Sequence, residues 1–250
     1  MASNGAHIPH RKPAMFERLR SVFARSQGAV NNQGIATPGQ LALWAGAQRW
    51  SFDFQGEPAR FQLGGVVAGQ PWLLESGPPT RDYLTGTELR ARTDPHAAPD
   101  VCVMVISRAL KETLEGRVYG AITETLQTAV DESLPQEMRW LAMYDELQWP
   151  ELPPSFARLF AVVGERSEQA RRWVNAALVS HLLGSRSATQ AALPLVLMLS
   201  GGKLSLRMQT MACYLPDLEY ATALLVVATT VAAQNLPATA ESGPATLPPG

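Results

Sequence analysis

Reactive and metal-binding side chains are scarce in this sequence of 250 residues, which contains two cysteines and four histidines. Cys102 and Cys213 each lie in an apolar run, a setting typical of free buried thiols in a reducing compartment. Neither His96 nor His181 has a neighbour at the spacing of zinc ligands, and the sequence contains no CxxC, HExxH or GxSxG motif. We therefore predict no metal site and no cofactor, and we assign no catalytic residue.

Phosphate-binding glycine motifs are also missing. The pattern GxxxxGK[ST] around Lys203 would need glycine at position 197 and serine or threonine at position 204, where the sequence has Leu197 and Leu204. The pattern GxGxxG does not occur either. Gly201 and Gly202 instead predict a tight hairpin turn, because glycine readily adopts the positive φ angles of such turns.

Charge is low and unevenly distributed. Charged residues make up 17% of the chain, below the roughly 25% that is usual for soluble proteins. The formal net charge is −1, but residues 1–30 hold five basic residues against Glu17 alone, so the rest of the chain is about five charges negative. Basic patches interleaved with aromatic residues are absent, and we expect no nucleic-acid partner.

The longest apolar run of the sequence is shorter than we expect for a membrane span. The N-terminus lacks an unbroken apolar region, so we expect no secretory signal. The longest apolar run, Tyr220–Ala233, would extend about 21 Å as a helix, against about 30 Å for the hydrocarbon core of a bilayer. We predict a buried core element there and a cytoplasmic protein, with peripheral membrane contact as an alternative.

The apolar residues that are present concentrate between Ala191 and Gln234. Two strand-like runs meet at the predicted hairpin turn, and a long apolar segment follows. Pro216 suits the first turn of a helix, and Asp217 favours the positive end of the helix dipole. We predict a helix for this segment, although its valine-rich body would also suit a strand.

The first half of the domain alternates with a period of two residues, which predicts an antiparallel meander of three strands. Its inward-facing side chains are predicted to be Phe52, Phe54, Phe61, Leu63, Trp72 and Leu74. A further strand is predicted over 88–93. The continuous apolar run at 101–107 predicts a central strand that is covered on both faces.

The middle of the chain shows helical periodicity. We predict a helix capped by Ser107, one from Ser133 to about Leu147 with a capping box, a short one over 155–163, and one over Ser167–Leu183. The tryptophans of this region are predicted core anchors, and His181 is predicted to be a core or interface histidine.

These patterns together predict an α+β fold with an antiparallel β meander in the first half, a helical middle, and a C-terminal β-hairpin and apolar helix. The predicted domain organisation is a basic amphipathic arm with a flexible linker over 1–40, a single α+β domain over 41–235, and a disordered tail over 236–250.

The arm carries the first candidate binding site. Its apolar residues recur at helical spacing and form one stripe beside a cationic face, a pattern typical of helices that dock on a surface. The stripe, and the predicted partner-binding site, consists of Met15, Phe16, Leu19, Val22 and Phe23.

The polar segment 75–94 carries the second candidate site. Arg81, Arg90 and Arg92 are candidates for binding a phosphate or carboxylate group. Because Glu88, Arg90 and Arg92 share one face of the predicted strand, a mutual ion-pair ladder is the alternative, and it is the favoured one.

Two hypotheses for function follow. The preferred one is a non-enzymatic interaction protein (an adaptor, chaperone-like or assembly factor) whose N-terminal amphipathic helix docks on another protein or on an anionic membrane. The alternative is an enzyme that acts on an anionic small molecule at segment 75–94. An enclosed pocket with convergent arginines at 75–94 would favour the enzyme. In a third, purely structural reading, the arm packs on its own domain.

Overall fold

The computed structural model describes residues 34–56, 60–125, 134–184 and 192–238. The predicted arm helix, most of the predicted linker and the end of the C-terminal tail lie outside these residues. The chain divides into two compact units, Met1–Ile35 and Ala36–Gly250, and the fold below is that of the second unit.

The described residues contain nine strands and seven helices. The strands are β1 Ser51–Gly56, β2 Arg60–Val67, β3 Gln70–Gly77, β4 Thr87–Thr93, β5 Cys102–Ser107, β6 Glu146–Leu147, β7 Phe160–Gly164, β8 Leu195–Ser200 and β9 Lys203–Thr210. The helices are α1 Pro38–Ala47, α2 Arg108–Thr125, α3 Gln136–Met143, α4 Pro154–Leu159, α5 Ser167–Trp173, α6 Ala176–Leu183 and α7 Leu215–Asn235.

All nine strands form one antiparallel sheet in the order β1-β2-β3-β4-β9-β8-β5-β7-β6. Strands β1 to β4 are the predicted meander with one more strand added. The hairpin β8-β9 lies in the middle of the sheet, where β9 pairs with β4 and β8 pairs with β5. The predicted α+β fold is confirmed, including the meander, the hairpin and the apolar helix.

The hairpin turns at its two glycines, as predicted. Gly201 has φ 57° and Gly202 has φ 76°, values that side-chain-bearing residues rarely adopt. A Cβ at Gly202 would lie 2.9 Å from the carbonyl oxygen of Ala97, whereas one at Gly201 would meet nothing within 4 Å. Gly202 is therefore required by packing as well as by the turn.

The sheet separates two hydrophobic cores. Val103 and Val105 of β5 face the first core, which also receives side chains of α1, α5, α6 and α7. Met104 and Ile106 face the second core, under α2 and α3. The predicted coverage of this strand on both faces is confirmed.

Helix α7 is the main apolar helix of the first core. The Trp173 indole N–H donates to the carbonyl oxygen of Ala228 at 3.1 Å and ties α5 to it. Among the described residues, Leu215–Asn235 is a helix long and apolar enough to cross a membrane, with a mean hydropathy of 1.3, but 67% of its most apolar part is buried. Such burial is what a core helix shows.

The prediction of one continuous helix over Ser167–Leu183 is wrong. Helix α5 ends at Trp173 and α6 begins at Ala176. The Asn175 side-chain oxygen between them accepts from the backbone N–H groups of Ala177 and Leu178, at 3.0 and 3.1 Å. Asparagine is a strong N-cap because its side chain satisfies these free donors, and here that preference interrupts the apolar periodicity.

The helix predicted over 155–163 is also wrong in its second half. Helix α4 ends at Leu159, and Phe160–Gly164 is strand β7, which is buried throughout and pairs with β5. A buried strand and a buried helix face give the same short apolar run, so periodicity alone does not separate them.

Ser107 is the last residue of β5 and stands directly before α2, and its hydroxyl accepts from the Leu195 backbone N–H at 3.2 Å. Two smaller predictions differ from the structure. The helix predicted to reach Leu147 ends at Met143, and Ser133 lies outside the described residues. Phe54 is 40% exposed, because it lies on the edge strand β1.

The start of α1 also differs from the sequence prediction, since the helix begins inside the range predicted to be linker. The Thr37 hydroxyl accepts from the Gln40 N–H at 3.3 Å, and the Gln40 side chain accepts from the Thr37 N–H at 2.9 Å. This reciprocal capping box starts the helix at Pro38.

Candidate functional site

A cluster of charged and polar side chains lies at the centre of the sheet, on the face away from the first core. Pairing of β3, β4 and β9 aligns Glu75, Arg90 and Arg207 in one row across three strands. We call the following residues the charged cluster: Thr80, Arg81, Tyr83, Glu88, Arg90, Glu137 and Arg207.

Glu88 of β4 is fully buried at one side of this cluster. Its carboxylate accepts from the N–H and the hydroxyl of Thr80, at 2.7 and 2.9 Å, and forms a short ion pair with Arg207. An Arg90 guanidinium nitrogen lies 3.7 Å from the same carboxylate. Burial of this charge is thus offset by hydrogen bonds and two cations.

Glu137 of α3 is the second buried carboxylate. Its Oε1 accepts from the Tyr83 hydroxyl at 2.6 Å and from Arg81 Nε at 3.1 Å, and Arg207 Nε lies at 3.4 Å. Its Oε2 has no hydrogen-bond partner among the described residues. Burial, followed by the nearby charge of Glu137, raises the pKa of Tyr83, so the phenol stays protonated and donates.

The structure places the three predicted anion-binding arginines in different settings. Arg81 and Arg90 belong to the charged cluster, and Arg90 also lies 4.0 Å from Glu75. Arg92 is exposed and forms no ion pair within the described residues. The guanidinium groups of Arg81 and Arg90 thus contact carboxylates of the chain itself, and their predicted role in anion binding stays a prediction.

Sequence reasoning missed Arg207 and Glu137, which complete the charged cluster. The position of Arg207 could have been predicted, because Lys203, Ser205 and Arg207 alternate with apolar residues along β9 and so share its polar face. The burial of Glu137 could not have been predicted, since it depends on the position of α3 over the sheet.

A second ion-pair group joins α2 to β6. Arg108 binds the Glu146 carboxylate through two guanidinium nitrogens at 2.7 and 2.8 Å, and Lys111 Nζ lies 3.2 Å from it. Arg108 also donates to the carbonyl oxygens of Ala157 and Phe160. The hydrogen bonds from Arg108 are the main cause that lowers the pKa of Glu146 to about 2.

An open pocket of about 630 Å³ lies elsewhere, between the loop that follows β6 and the helices α5 and α6. No residue of segment 75–94 lines it. We call it the apolar groove; it is lined by Trp149, Glu151, Leu152, Pro153, Arg171, Val174, Asn175, Ala176, Val179, Ser180 and Leu183.

The break between α5 and α6 helps to shape this groove. Val174 and Val179 are buried and lie on either side of the break, while Leu152 and Leu183 are half-buried. Two charged side chains, Glu151 and Arg171, line the groove and are exposed. The groove is therefore apolar along its floor and charged at its rim.

Metal coordination finds no support in the described part of the chain, where no three His, Cys, Asp or Glu side chains converge. His181 stacks on the Tyr220 ring at 5.3 Å, and burial lowers its pKa. The neutral imidazole thus packs at the contact between α6 and α7.

No known protein family matches the sequence, and no curated protein matches it. Among solved structures, the chain is similar to the crystal structure of the mycobacterial trehalose monomycolate transport factor A, TtfA. The TM-score is 0.46 at 8% sequence identity, over 82% of this chain and 98% of that chain. A likeness at this level supports no conclusion about function.

Proposed function

We propose that this chain is a non-enzymatic interaction protein, acting as an adaptor, chaperone-like or assembly factor. The observation that carries the proposal is the apolar groove, an open concave surface with a mostly apolar lining and charged groups at its rim. An apolar surface with a polar rim is typical of sites that bind other proteins.

The charged cluster supports the same proposal, because its arginines contact carboxylates of the chain and are not free to bind an anionic substrate. A site for an anionic substrate requires guanidinium groups that are free to bind it. Arg81 and Arg207 instead contact Glu137, and Arg90 contacts Glu88. The charged cluster acts as a structural tie between α3, β4 and β9.

The groove part of the proposal is tested by affinity capture with a matched pair of variants. Ala176 lines the groove and Ala177 does not, although both are exposed on α6. We expect Ala176→Trp to fill the groove and to lose proteins that the parent and Ala177→Trp both capture from a lysate of the source organism. Identical captured sets for the two variants would refute the proposal.

The N-terminal arm is the second docking element that we propose, in a cytoplasmic protein with peripheral membrane contact. A helix of eleven residues is marginal alone in water, so we propose that the predicted arm helix needs a surface that accepts its apolar stripe. Basic residues near an anionic bilayer add about 1 kcal/mol each, and salt weakens this attraction.

Deleting residues 1–30 tests the arm. We expect the truncated chain to fold and to lose cosedimentation with anionic liposomes, and we expect high salt to weaken binding of the full chain. The variant Leu19→Ser keeps the charge and interrupts the apolar stripe, so it should bind less than the parent. Equal binding by full-length and truncated protein would exclude the membrane role, and loss of folding would instead indicate packing of the arm on its own domain.

A further inference from the structure

We infer that the apolar groove binds a short segment of a partner protein that carries apolar anchor side chains together with an acidic and a basic residue. The acidic residue pairs with Arg171 and the basic one with Glu151. This inference rests on the proposed function, since it names the chemistry of the partner at the groove.

The floor of the groove selects the apolar anchors. Leu152, Pro153 and Leu183 offer apolar surface as half-buried side chains, and Val174 and Val179 line the groove as buried ones. The volume of about 630 Å³ falls in the range of sites that enclose a ligand, yet the groove is open on one side. Side chains that project from an extended or helical segment fit such a shape.

The Arg171 guanidinium lies over an aromatic ring. Its central carbon lies 5.9 Å from the centre of the Trp149 ring, within the range of a cation–π interaction. No carboxylate pairs with Arg171 among the described residues. A guanidinium that is positioned and unpaired binds a carboxylate at a lower entropic cost than a freely moving one.

The backbone at the start of α6 does not compete for this carboxylate. The Asn175 side chain already accepts from the N–H groups of Ala177 and Leu178. The anion-binding capacity of this helix terminus is thus used internally. The Arg171 side chain is left as the partner for an acidic residue at the rim.

The second rim charge favours a peptide over a lipid. Glu151 is exposed and forms no ion pair within the described residues. The carboxylate of a fatty acid could pair with Arg171. Its hydrocarbon chain, however, would remain partly exposed to water in the open groove, beside the negative charge of Glu151. A segment with charges of both signs matches both exposed charged side chains at the rim.

The test is selection of a displayed library of random twelve-residue peptides on the full-length protein, followed by affinity measurements on synthetic copies of the enriched peptides. We expect enriched peptides to combine apolar residues with an acidic and a basic one. Arg171→Glu should weaken their binding about tenfold, because a charged hydrogen bond is replaced by repulsion. Arg172→Glu, at the exposed neighbour outside the groove, should leave binding unchanged.

Exchange of charges makes the test specific. A peptide whose acidic residue is replaced by lysine should bind Arg171→Glu better than it binds the parent. Ala176→Trp should abolish binding of every enriched peptide, and Ala177→Trp should not.

Three results would overturn the inference: no enrichment, enriched peptides without an acidic residue, or equal binding to parent and Ala176→Trp. Binding of a fluorescent fatty acid that is lost in Ala176→Trp would identify a lipid as the occupant and overturn it as well. If Ala176→Trp abolishes the capture of cellular proteins but leaves the binding of the selected peptides unchanged, the proposed function stands and this inference fails.

Discussion

Leu197 shows how much a single side chain contributes to this fold. It is fully buried in β8 on the side of the first core. We expect Leu197→Ala to lower the free energy of unfolding by about 2–5 kcal/mol, because the lost side chain leaves a cavity that the core cannot fully close. Urea unfolding followed by circular dichroism measures the change.

The matched control at this scale is Leu43, which is 78% exposed on α1. Leu43→Ala should change the free energy of unfolding by about 0.5 kcal/mol or less. A loss below about 1 kcal/mol for Leu197→Ala would contradict the central position given to the hairpin.

The burial of individual residues was predictable where the alternation of apolar and polar residues decides which face of the sheet a side chain lies on. Leu63 and Leu74 are buried as the period of two predicts, and Glu88 and Arg90 share a strand face. Phe54 has the same alternation but remains partly exposed, because its strand has a neighbour on one side alone. The exposure of such a residue depends on the position of its strand in the sheet, which the local sequence pattern does not indicate.

At the scale of the element, the hairpin β8-β9 allows a comparison of two adjacent glycines. Both have positive φ, so alanine at either position costs about 1–2 kcal/mol of strain. Gly202→Ala should cost more, because its Cβ would also meet the Ala97 carbonyl oxygen at 2.9 Å. Thermal unfolding of the two variants measures the difference, and equal melting temperatures would refute the packing role of Gly202.

The elements that the sequence predicted poorly are short ones with two physical solutions. The run Phe160–Gly164 suits a strand or a helix, and pairing with β5 selects the strand. The α5–α6 boundary depends on one asparagine, whose capping hydrogen bonds outweigh a favourable apolar stripe. The same boundary shapes the apolar groove, so the groove could not be foreseen while the helix was read as continuous.

At the scale of the whole molecule, Glu146 couples stability to acid. Its folded pKa of about 2 lies below the ordinary value of 4.5, so its contribution is complete above about pH 4.5 and is lost as the pH falls towards 2. We expect Glu146→Gln to destabilise the protein by about 1–2 kcal/mol at pH 7, because Arg108 loses its charged partner. The difference between parent and variant should shrink at pH 3.

Urea unfolding at pH 7, 5 and 3 measures this dependence. Glu168→Gln is the control, since Glu168 is exposed and has no ion pair within the described residues. Its effect should stay small at every pH. A difference between parent and Glu146→Gln that is constant from pH 7 to pH 3 would contradict the role of the Arg108–Glu146 pair.

The fold class was predictable from the sequence, whereas the order of the strands was not. Alternation, the glycine pair and the apolar C-terminal run predict which elements form. Nothing local indicates that β9 pairs with β4, or that α3 brings Glu137 over the sheet. The charged cluster depends on both placements, and this is why only part of it was anticipated.

The central position of the last hairpin has a consequence for synthesis on the ribosome. Strand β4 ends at Thr93 and its partner β9 begins at Lys203, so at about 5–20 residues per second β4 waits roughly 5–20 s for its neighbour. During that interval β4, and β5 on the side that β8 will occupy, present unpaired edges to other nascent chains and to chaperones. A chain released before residue 195 would keep both edges open, and aggregation rather than loss of a binding site would be its first defect.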